Sequence, residues 1–147
     1  MATVKQLLRS KGTIVWSVSP GTKTLDALKL MAEKDIGALL VMDGEKLVGI
    51  ISERDFARRM AKFGDCDVNQ TMQEVMITNV FSKSPAATMG ECMKLMTDKH
   101  IRHLPIMEKD KVVGMITIGD IVKEIIDTQE STIRSLENFI TGQSFEL

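Results

Sequence analysis

Sliding the chain against itself by 65 residues brings two halves into register without a gap. Ser19-Pro20 falls on Ser84-Pro85, Lys29-Leu30-Met31 on Lys94-Leu95-Met96, and Val48-Gly49 on Val113-Gly114. Ile36 meets Ile101, Leu39 meets Leu104, Met42 meets Met107, Ile51 meets Ile116 and Asp55 meets Asp120. Sixteen of the positions from Val15 to Met60 are identical, and most of the others keep their apolar or polar character. A fixed period of this kind is the signature of a duplicated supersecondary unit. Whatever one half folds into, the other half must fold into as well.

Each half carries the same succession of local signals. A β-rich run opens it, Thr13-Ile14-Val15-Trp16 in the first copy and Thr78-Asn79-Val80-Phe81 in the second, and Ser-Pro ends the extended stretch. A helix follows, with an apolar stripe at spacings of three and four: Leu25, Leu28, Met31 and Ala32, matched by Met89, Cys92, Met93 and Met96. Thr24 and Thr88 are the expected N-caps. Then come two short apolar runs joined by a tight polar turn, which read as a hairpin: 38–42 with 47–51, and 103–107 with 112–116. A second helix starts near Ser52 or Thr117. The order per unit is β-α-β-β-α, an α/β (α+β) chain.

Outside the repeats, Val4, Leu7 and Leu8 predict a short amphipathic helix, with Val75 and Met76 as its counterpart. Residues 63–67 read as the linker. The tail from Ile125 to Ile140 continues as a helix, with Ile126, Ile133, Leu136 and Ile140 at helical spacings. Its apolar face packs on its own unit or on a partner subunit, and dimerisation is the expected role. The division expected from sequence is 1–65, 66–128 and a helical tail over 129–147.

Charge and cysteines narrow the classes further. The net charge is −1, without the basic face that binding to a nucleic-acid polymer requires. Two isolated cysteines, Cys66 and Cys92, form neither a metal motif nor a disulfide framework. No run approaches the ~18 apolar residues of a membrane span. A cytoplasmic protein with reduced thiols is expected. His100 and His103 lie three apart, but no Cys, Asp or Glu completes a ligand set at matching spacing, so no metal is expected. There is no Walker loop, no GxGxxG and no nucleophile with a recognisable base, so no enzyme is expected.

The tandem of Leu-Val-Gly-Ile-Ile-Ser-Glu-Arg-Asp (47–55) and Val-Val-Gly-Met-Ile-Thr-Ile-Gly-Asp (112–120) resembles a pair of cystathionine-β-synthase (CBS) domains. Ile101-Arg102-His103-Leu104-Pro105-Ile106 adds to the match, which covers roughly residues 1–128. The resemblance implies two sheets packed side by side with pseudo-twofold symmetry, frequent homodimerisation, and two clefts between the repeats. In many such proteins a cleft holds an adenosine compound: AMP, ADP, ATP, S-adenosylmethionine or, more rarely, a dinucleotide such as NAD. Family members usually regulate an enzyme or transporter. The resemblance therefore implies a free-standing adenine-nucleotide sensor acting on an unidentified protein partner. A ligand-free oligomerisation scaffold and an S-adenosylmethionine sensor are the alternatives.

The residues suit such a ligand. Asp55 and Asp120 each follow a hydroxyl, Ser52 or Thr117, by three residues, so both side chains share one face of a first helical turn. A carboxylate accepts two hydrogen bonds from vicinal ribose hydroxyls, and a helix start offers free N–H groups to a phosphate. The same spacing is also that of a capping box without any ligand. By resemblance, Gly37 and Ala38 let adenine approach the strand, while their counterparts Arg102 and His103, followed by Leu104 and Pro105, reach phosphates. Arg54, opposite Gly119, reaches a phosphate or pairs with Glu53 or Asp35. The opening segments, Thr13, Ile14 and Val15 with Thr78 and Val80, supply the adenine walls. The stronger site is expected at Asp120, with Arg102 and His103 holding the phosphates.

Overall fold

The computed structural model of the chain describes residues 2–65 and 67–142. Cys66 and the last five positions of the expected tail lie outside the described residues. The elements run α1 (Val4–Lys11), β1 (Ser17–Val18), α2 (Thr24–Lys34), β2 (Ala38–Asp43), β3 (Lys46–Ser52), α3 (Glu53–Phe63), α4 (Met72–Val75), α5 (Met89–Lys99), β4 (His103–Glu108), β5 (Lys111–Thr117) and α6 (Ile118–Ile140).

The hairpins form as the apolar runs require. β2 pairs antiparallel with β3, and β4 with β5, in matching registers: Leu39 faces Ile51, and Leu104 faces Ile116. Both ladders slip at the equivalent place, Val41/Met42 and Ile106/Met107. The first turn uses Gly44 at φ 61°, and the second places Lys109 and Asp110 at φ 51° and 61°. Positive φ at these positions matches the right-handed strand twist in a two-residue hairpin turn.

The opening strands are shorter than expected and lie later. β1 is only Ser17–Val18, parallel to β2, and residues 13–16 are not strand. In the second repeat the counterpart shrinks to a single parallel bridge, Lys83 with Ile106, and residues 78–81 are not strand. Extension is fixed only where a neighbouring strand lies alongside, so local β propensity alone does not set the strand.

α2 buries Thr24, Ala27 and Met31, while Leu25 is 41% exposed and Ala32 is also exposed. The stripe is thus turned by one residue from the expected one. Thr24 is not the N-cap; Lys23 holds that position, and Thr24 Oγ1 donates to Gln70 O at 3.0 Å from inside the core. The 65-residue offset explains it, because Lys23, not Thr24, is the counterpart of Thr88. Thr88 does cap α5, accepting from Glu91 N.

Two cores form, and the preceding helices cross between them. α1 sends Val4, Leu7 and Leu8 into the core built by Met89, Cys92, Met96, Leu104, Ile106, Ile116 and Ile121 of the second repeat. α4 sends Met72 and Val75 into the first repeat's core with Ala27, Met31, Leu39, Ile51 and Phe56. Matching bridges, Thr3 with Thr88 and Lys23 with Thr71, hold the two helices in place. The glycines that both strands share leave room for them. A Cβ on Gly49 would meet Met76 Sδ at 2.5 Å, and one on Gly114 would meet Leu8 Cδ2 at 2.8 Å. The two repeats are therefore interlocked by their first helices, although each is contiguous in sequence.

Candidate functional site

The hairpin register builds the site. Ala38 pairs with Ser52 and His103 with Thr117, so each strand start lies beside the helix start that follows its partner strand. Glu53 N donates to Gly37 O at 2.9 Å, and Ile118 N to Arg102 O at 3.0 Å, which fixes this neighbourhood in both repeats. Ser52 and Thr117 are N-caps of complete capping boxes. Asp55 Oδ2 accepts from Ser52 N and from Ser52 Oγ, each at 2.8 Å. Its other oxygen, Oδ1, takes no hydrogen bond from the described residues. The capping role and a free acceptor therefore coexist in one carboxylate.

The two helix starts then diverge. At Asp120, Oδ2 accepts from Thr117 N at 2.8 Å and is bridged by Lys11 Nζ at 2.6 Å. The same ammonium donates to Met115 O at 2.6 Å. Met115 is the counterpart of Ile50, whose N–H and C=O are paired with Ile77 at 3.0 and 2.9 Å. The edge that the backbone closes in the first repeat is thus closed in the second by a side chain from the end of α1.

At Asp55 the cleft is open, with a volume of about 350 Å³. Ser52, Glu53, Arg54, Asp55 and Arg58 form one wall, and Lys99 to His103 the other; Ile50, Ile77, Val80 and Phe81 are the apolar part. Arg54, Arg58, Lys99 and Arg102 face two carboxylates, Glu53 and Asp55, so the cleft is net positive. Arg54 spans it, donating from Nη1 to His100 O at 3.3 Å, and it pairs with neither Glu53 nor Asp35. His100 presents that carbonyl because it caps α5 in the left-handed conformation, φ 55°. Lys99 also lies over the Phe81 ring at 5.2 Å, as its counterpart Lys34 does over Trp16 at 4.4 Å.

His103 lies at the centre of the junction, with its ring over Gly37. A Cβ on Gly37 would sit 3.2 Å from His103 Nε2, so the small residue in one repeat makes room for the large one in the other. Burial pushes the imidazole below its usual pKa, and Lys11 and Arg102 push it the same way; Glu53 and Asp120 oppose them. The ring is poised to gain a proton when an anion arrives.

Of the residues expected from sequence, Gly37, Ser52, Arg54, Asp55, Val80, Arg102 and His103 converge on this cleft. Arg102 and His103 thus line the same cleft as Asp55, while His103 also pairs with Thr117 and feels the Asp120 charge. Ala38, Leu104 and Pro105 are buried in the sheets and do not line the cleft. Thr78 is exposed outside it. Thr13 is exposed, Ile14 is 77% exposed and Val15 is half-buried, and none of the three lines the cleft. Sequence reasoning missed Ile50, Ile77 and Lys99 in the cleft. Arg58 was legible, one turn after Arg54 on the same helix face. Among the described residues no group of three or more His, Cys, Asp or Glu is placed to hold a metal ion.

Two interlocked β-α-β-β-α units meeting across a cleft at paired helix starts define the class. The CBS domain profile matches residues 4–62 and 72–127, and the chain belongs to the CBS domain family. It is similar to the structure of a protein with CBS domains from Burkholderia ambifaria MC40-6, with 40% identity over 87% of this chain and 96% of that one and a TM-score of 0.82. It is also 31% identical over 121 residues to the CBS domain-containing protein YhcV of Bacillus subtilis (strain 168), covering 82% of this chain and 84% of that protein. Two structures of lower identity share the fold. One is CBSX2 in complex with AMP, 23% identical over 88% of this chain and 99% of that one, TM-score 0.71. The other is the CBS domain pair of protein MJ0100 in complex with 5′-methylthioadenosine and S-adenosylmethionine, 24% identical over 87% and 98%, TM-score 0.76.

Proposed function

We propose that the cleft at Asp55 binds a phosphate-bearing adenine mononucleotide, with AMP the best fit, and that the protein is a regulatory module rather than an enzyme. The observation that carries this reading is the joint presence of a free carboxylate oxygen and four cations in one partly apolar cleft. Asp55 Oδ1 receives the ribose hydroxyls. Arg102, with Arg54 and a protonated His103, holds the phosphate through forked and charge-assisted donors. Ile50, Ile77 and Val80 flank the base.

The charge favours a phosphate-bearing compound. S-adenosylmethionine brings a sulfonium cation and no phosphate to a cleft that is already net positive. NAD is disfavoured by size, since the volume of about 350 Å³ lies at the low end of the roughly 300–1,000 Å³ usual for small-molecule sites. Neighbours of the same fold hold AMP in CBSX2 and S-adenosylmethionine with 5′-methylthioadenosine in MJ0100, so the choice of AMP rests on the cleft's charge. The Ser52 hydroxyl that donates to Asp55 in the cleft belongs to the capping box of α3, which supports a regulatory reading. The Cys92 thiol is buried in the second core, and that burial raises its pKa, which keeps it unreactive. Binding would alter the junction at His103 and Gly37, and with it the fit to a protein partner or to a second copy. A cytoplasmic location belongs to the same reading; no helix among the described residues is long and apolar enough to cross a membrane.

Thermal melting with AMP, ATP, NAD and S-adenosylmethionine tests the proposal. AMP at 100 times its Kd stabilises the folded chain by about 2.7 kcal/mol, and Asp55→Ala and Arg102→Ala each remove most of that gain. If no adenine compound moves the melt, and the protein as isolated carries no excess absorbance near 260 nm, the ligand-free scaffold replaces this reading. The capping box that already occupies Asp55 Oδ2 is what favours that second reading.

A further inference from the structure

A separate cavity, with a volume of about 360 Å³, lies between α3 and the segment that joins the repeats. Phe56 and Val75, both buried, give it an apolar lining with the methyl-bearing Thr24, and the exposed Phe63 ring borders it. The joining segment is held in place as the facing wall. Thr24 N and Thr24 Oγ1 both donate to Gln70 O, at 2.8 and 3.0 Å, and Leu25 N donates to Val68 O at 3.1 Å. Asp67 Oδ1 accepts from Asn69 N at 3.0 Å.

The second repeat treats the equivalent place differently. At the 65-residue offset Thr24, Phe56 and Arg59 fall on Met89, Ile121 and Glu124, and at the offset of 68 that sets Thr3 on Thr71, Val75 falls on Leu7. Met89, Ile121 and Leu7 are all buried in the second core. The shared fold thus fills this place with large apolar side chains in one repeat and leaves a cavity with a partly polar lining in the other. Packing alone does not call for the smaller, more polar set.

Arg59 is the cation of this lining. Its Nη2 donates to Gln70 Oε1 at 3.4 Å, and its guanidinium lies 5.2 Å from the Phe63 ring centroid, so it is steadied from two sides. Among the described residues it forms no ion pair with Asp65 or Asp67, the two carboxylates of the lining. The guanidinium fork therefore keeps donors for a ligand carboxylate. Asp67 gives only Oδ1 to Asn69 and keeps its second oxygen for a donor. A plain anion is repelled by the two aspartates, and a plain amine by Arg59; a molecule with both charges satisfies both. We infer that the cavity binds a free α-amino acid with an apolar side chain. Arg59 takes its carboxylate, Asp65 and Asp67 take its ammonium, and Phe56, Phe63 and Val75 receive the side chain. The volume suits a ligand of that size, at the low end of the roughly 300–1,000 Å³ usual for small-molecule sites. The occupant ties the segment that joins the repeats to α3, the helix whose start lines the cleft at Asp55.

Titration calorimetry of the full chain with L-leucine, L-methionine and L-phenylalanine tests this without any nucleotide present. At least one of the three is expected to bind, one per chain, with a Kd of about 1 mM or tighter. The N-acetyl derivative of that amino acid lacks the ammonium and its amide lacks the carboxylate, so each binds about tenfold more weakly or worse. Arg59→Met, and Asp65→Asn combined with Asp67→Asn, each weaken the parent ligand by a similar factor. The two aspartates are exposed, so the melt of their double variant stays unchanged and its loss of binding is not a loss of fold. Arg59→Lys keeps the charge without the fork and recovers only part of the affinity. No saturable heat from any of the three amino acids up to about 10 mM overturns the inference. Equal affinity for the amide or the N-acetyl derivative overturns the zwitterion, and with it points to a peptide end as the occupant. Binding undiminished in both the arginine and the aspartate variants overturns the placement in this cavity.

Discussion

Replacing Leu7 with alanine tests the interlocking of the repeats. Leu7 lies in the first repeat's leader by sequence, but its side chain, 4% exposed, sits in the second repeat's core. Its neighbours in that core include Val4, Leu8 and the fully buried Cys92 and Ile121, and such a packed site relaxes only partly around a deletion. Measured Leu→Ala costs in comparable cores run from about 2.7 to 5.0 kcal/mol, so about 3 kcal/mol is expected here. For a chain of this size that lowers Tm by roughly 6–12 °C. Leu25→Ala is the control: the sequence stripe nominates Leu25 as core, but at 41% exposure its truncation is expected to cost less than about 1 kcal/mol. Urea unfolding gives the magnitude, and native-state hydrogen exchange gives the location. Protection should fall in β4, β5 and α5, whether or not the first repeat follows in the same cooperative unit. A cost below about 0.5 kcal/mol, the range of surface substitutions, would refute the packing of α1. Protection lost in β2 and β3 with β4 and β5 spared would refute it equally.

Gly114→Ala places a methyl group 2.8 Å from Leu8 Cδ2, an overpacking expected to cost about 1–3 kcal/mol; Leu8→Ala in the same chain should recover part of that cost, measured as coupling in a double-mutant cycle. His103 has a lowered pKa in the folded state, so the unfolded chain takes up its proton first. Its contribution to stability is therefore complete above the unfolded value of about 6.5 and is lost as pH falls toward the folded value. Urea midpoints at pH 7.5 and 5.5 should differ less in His103→Gln than in the parent. AMP binding should strengthen as pH falls through the same window and take up a proton, read from the buffer dependence of its calorimetric enthalpy. Lys11→Met frees Asp120 and Met115 O at a stability cost of about 1 kcal/mol or less, and calorimetry with AMP should then report a second equivalent bound; unchanged stoichiometry would show that the ammonium is not what keeps that side closed.

Much of the fold was legible because its signals are short-ranged. The hairpins announced themselves as apolar runs around polar turns, and Ser52/Asp55 and Thr117/Asp120 as three-residue capping pairs; both patterns fix backbone geometry within one turn. The α2 stripe failed because an eleven-residue amphipathic helix admits two registers one residue apart. Position 24 carries a threonine, which reads as a cap until Gln70 O supplies a partner for its hydroxyl in the core. The segment 13–16 has strand composition, but strand exists only where a neighbour lies alongside, and β2 lies beside 17 and 18.

The site was legible residue by residue but not in its grouping, and the reason lies at one point. A gapless offset makes Asp55 and Asp120 look alike, and the asymmetry of Arg102-His103 against Gly37-Ala38 then points to the second repeat as the stronger partner. The strand start of repeat two, however, also faces the helix start of repeat one across the junction, so Arg102 and His103 line the cleft at Asp55. The group that pairs with Asp120 lies outside that alignment altogether. At the offset of 68 that superimposes Thr3 on Thr71 and Leu8 on Met76, Lys11 falls on Asn79, four residues past the end of α4. α1 runs on to Lys11, whereas α4 stops at Val75 and lets Ile77 pair with Ile50 through the backbone. One extra helical turn therefore replaces a backbone bridge with an ammonium. A duplicated fold thereby carries an open cleft at Asp55 and an ion pair at Asp120, a difference that the 65-residue offset does not reveal.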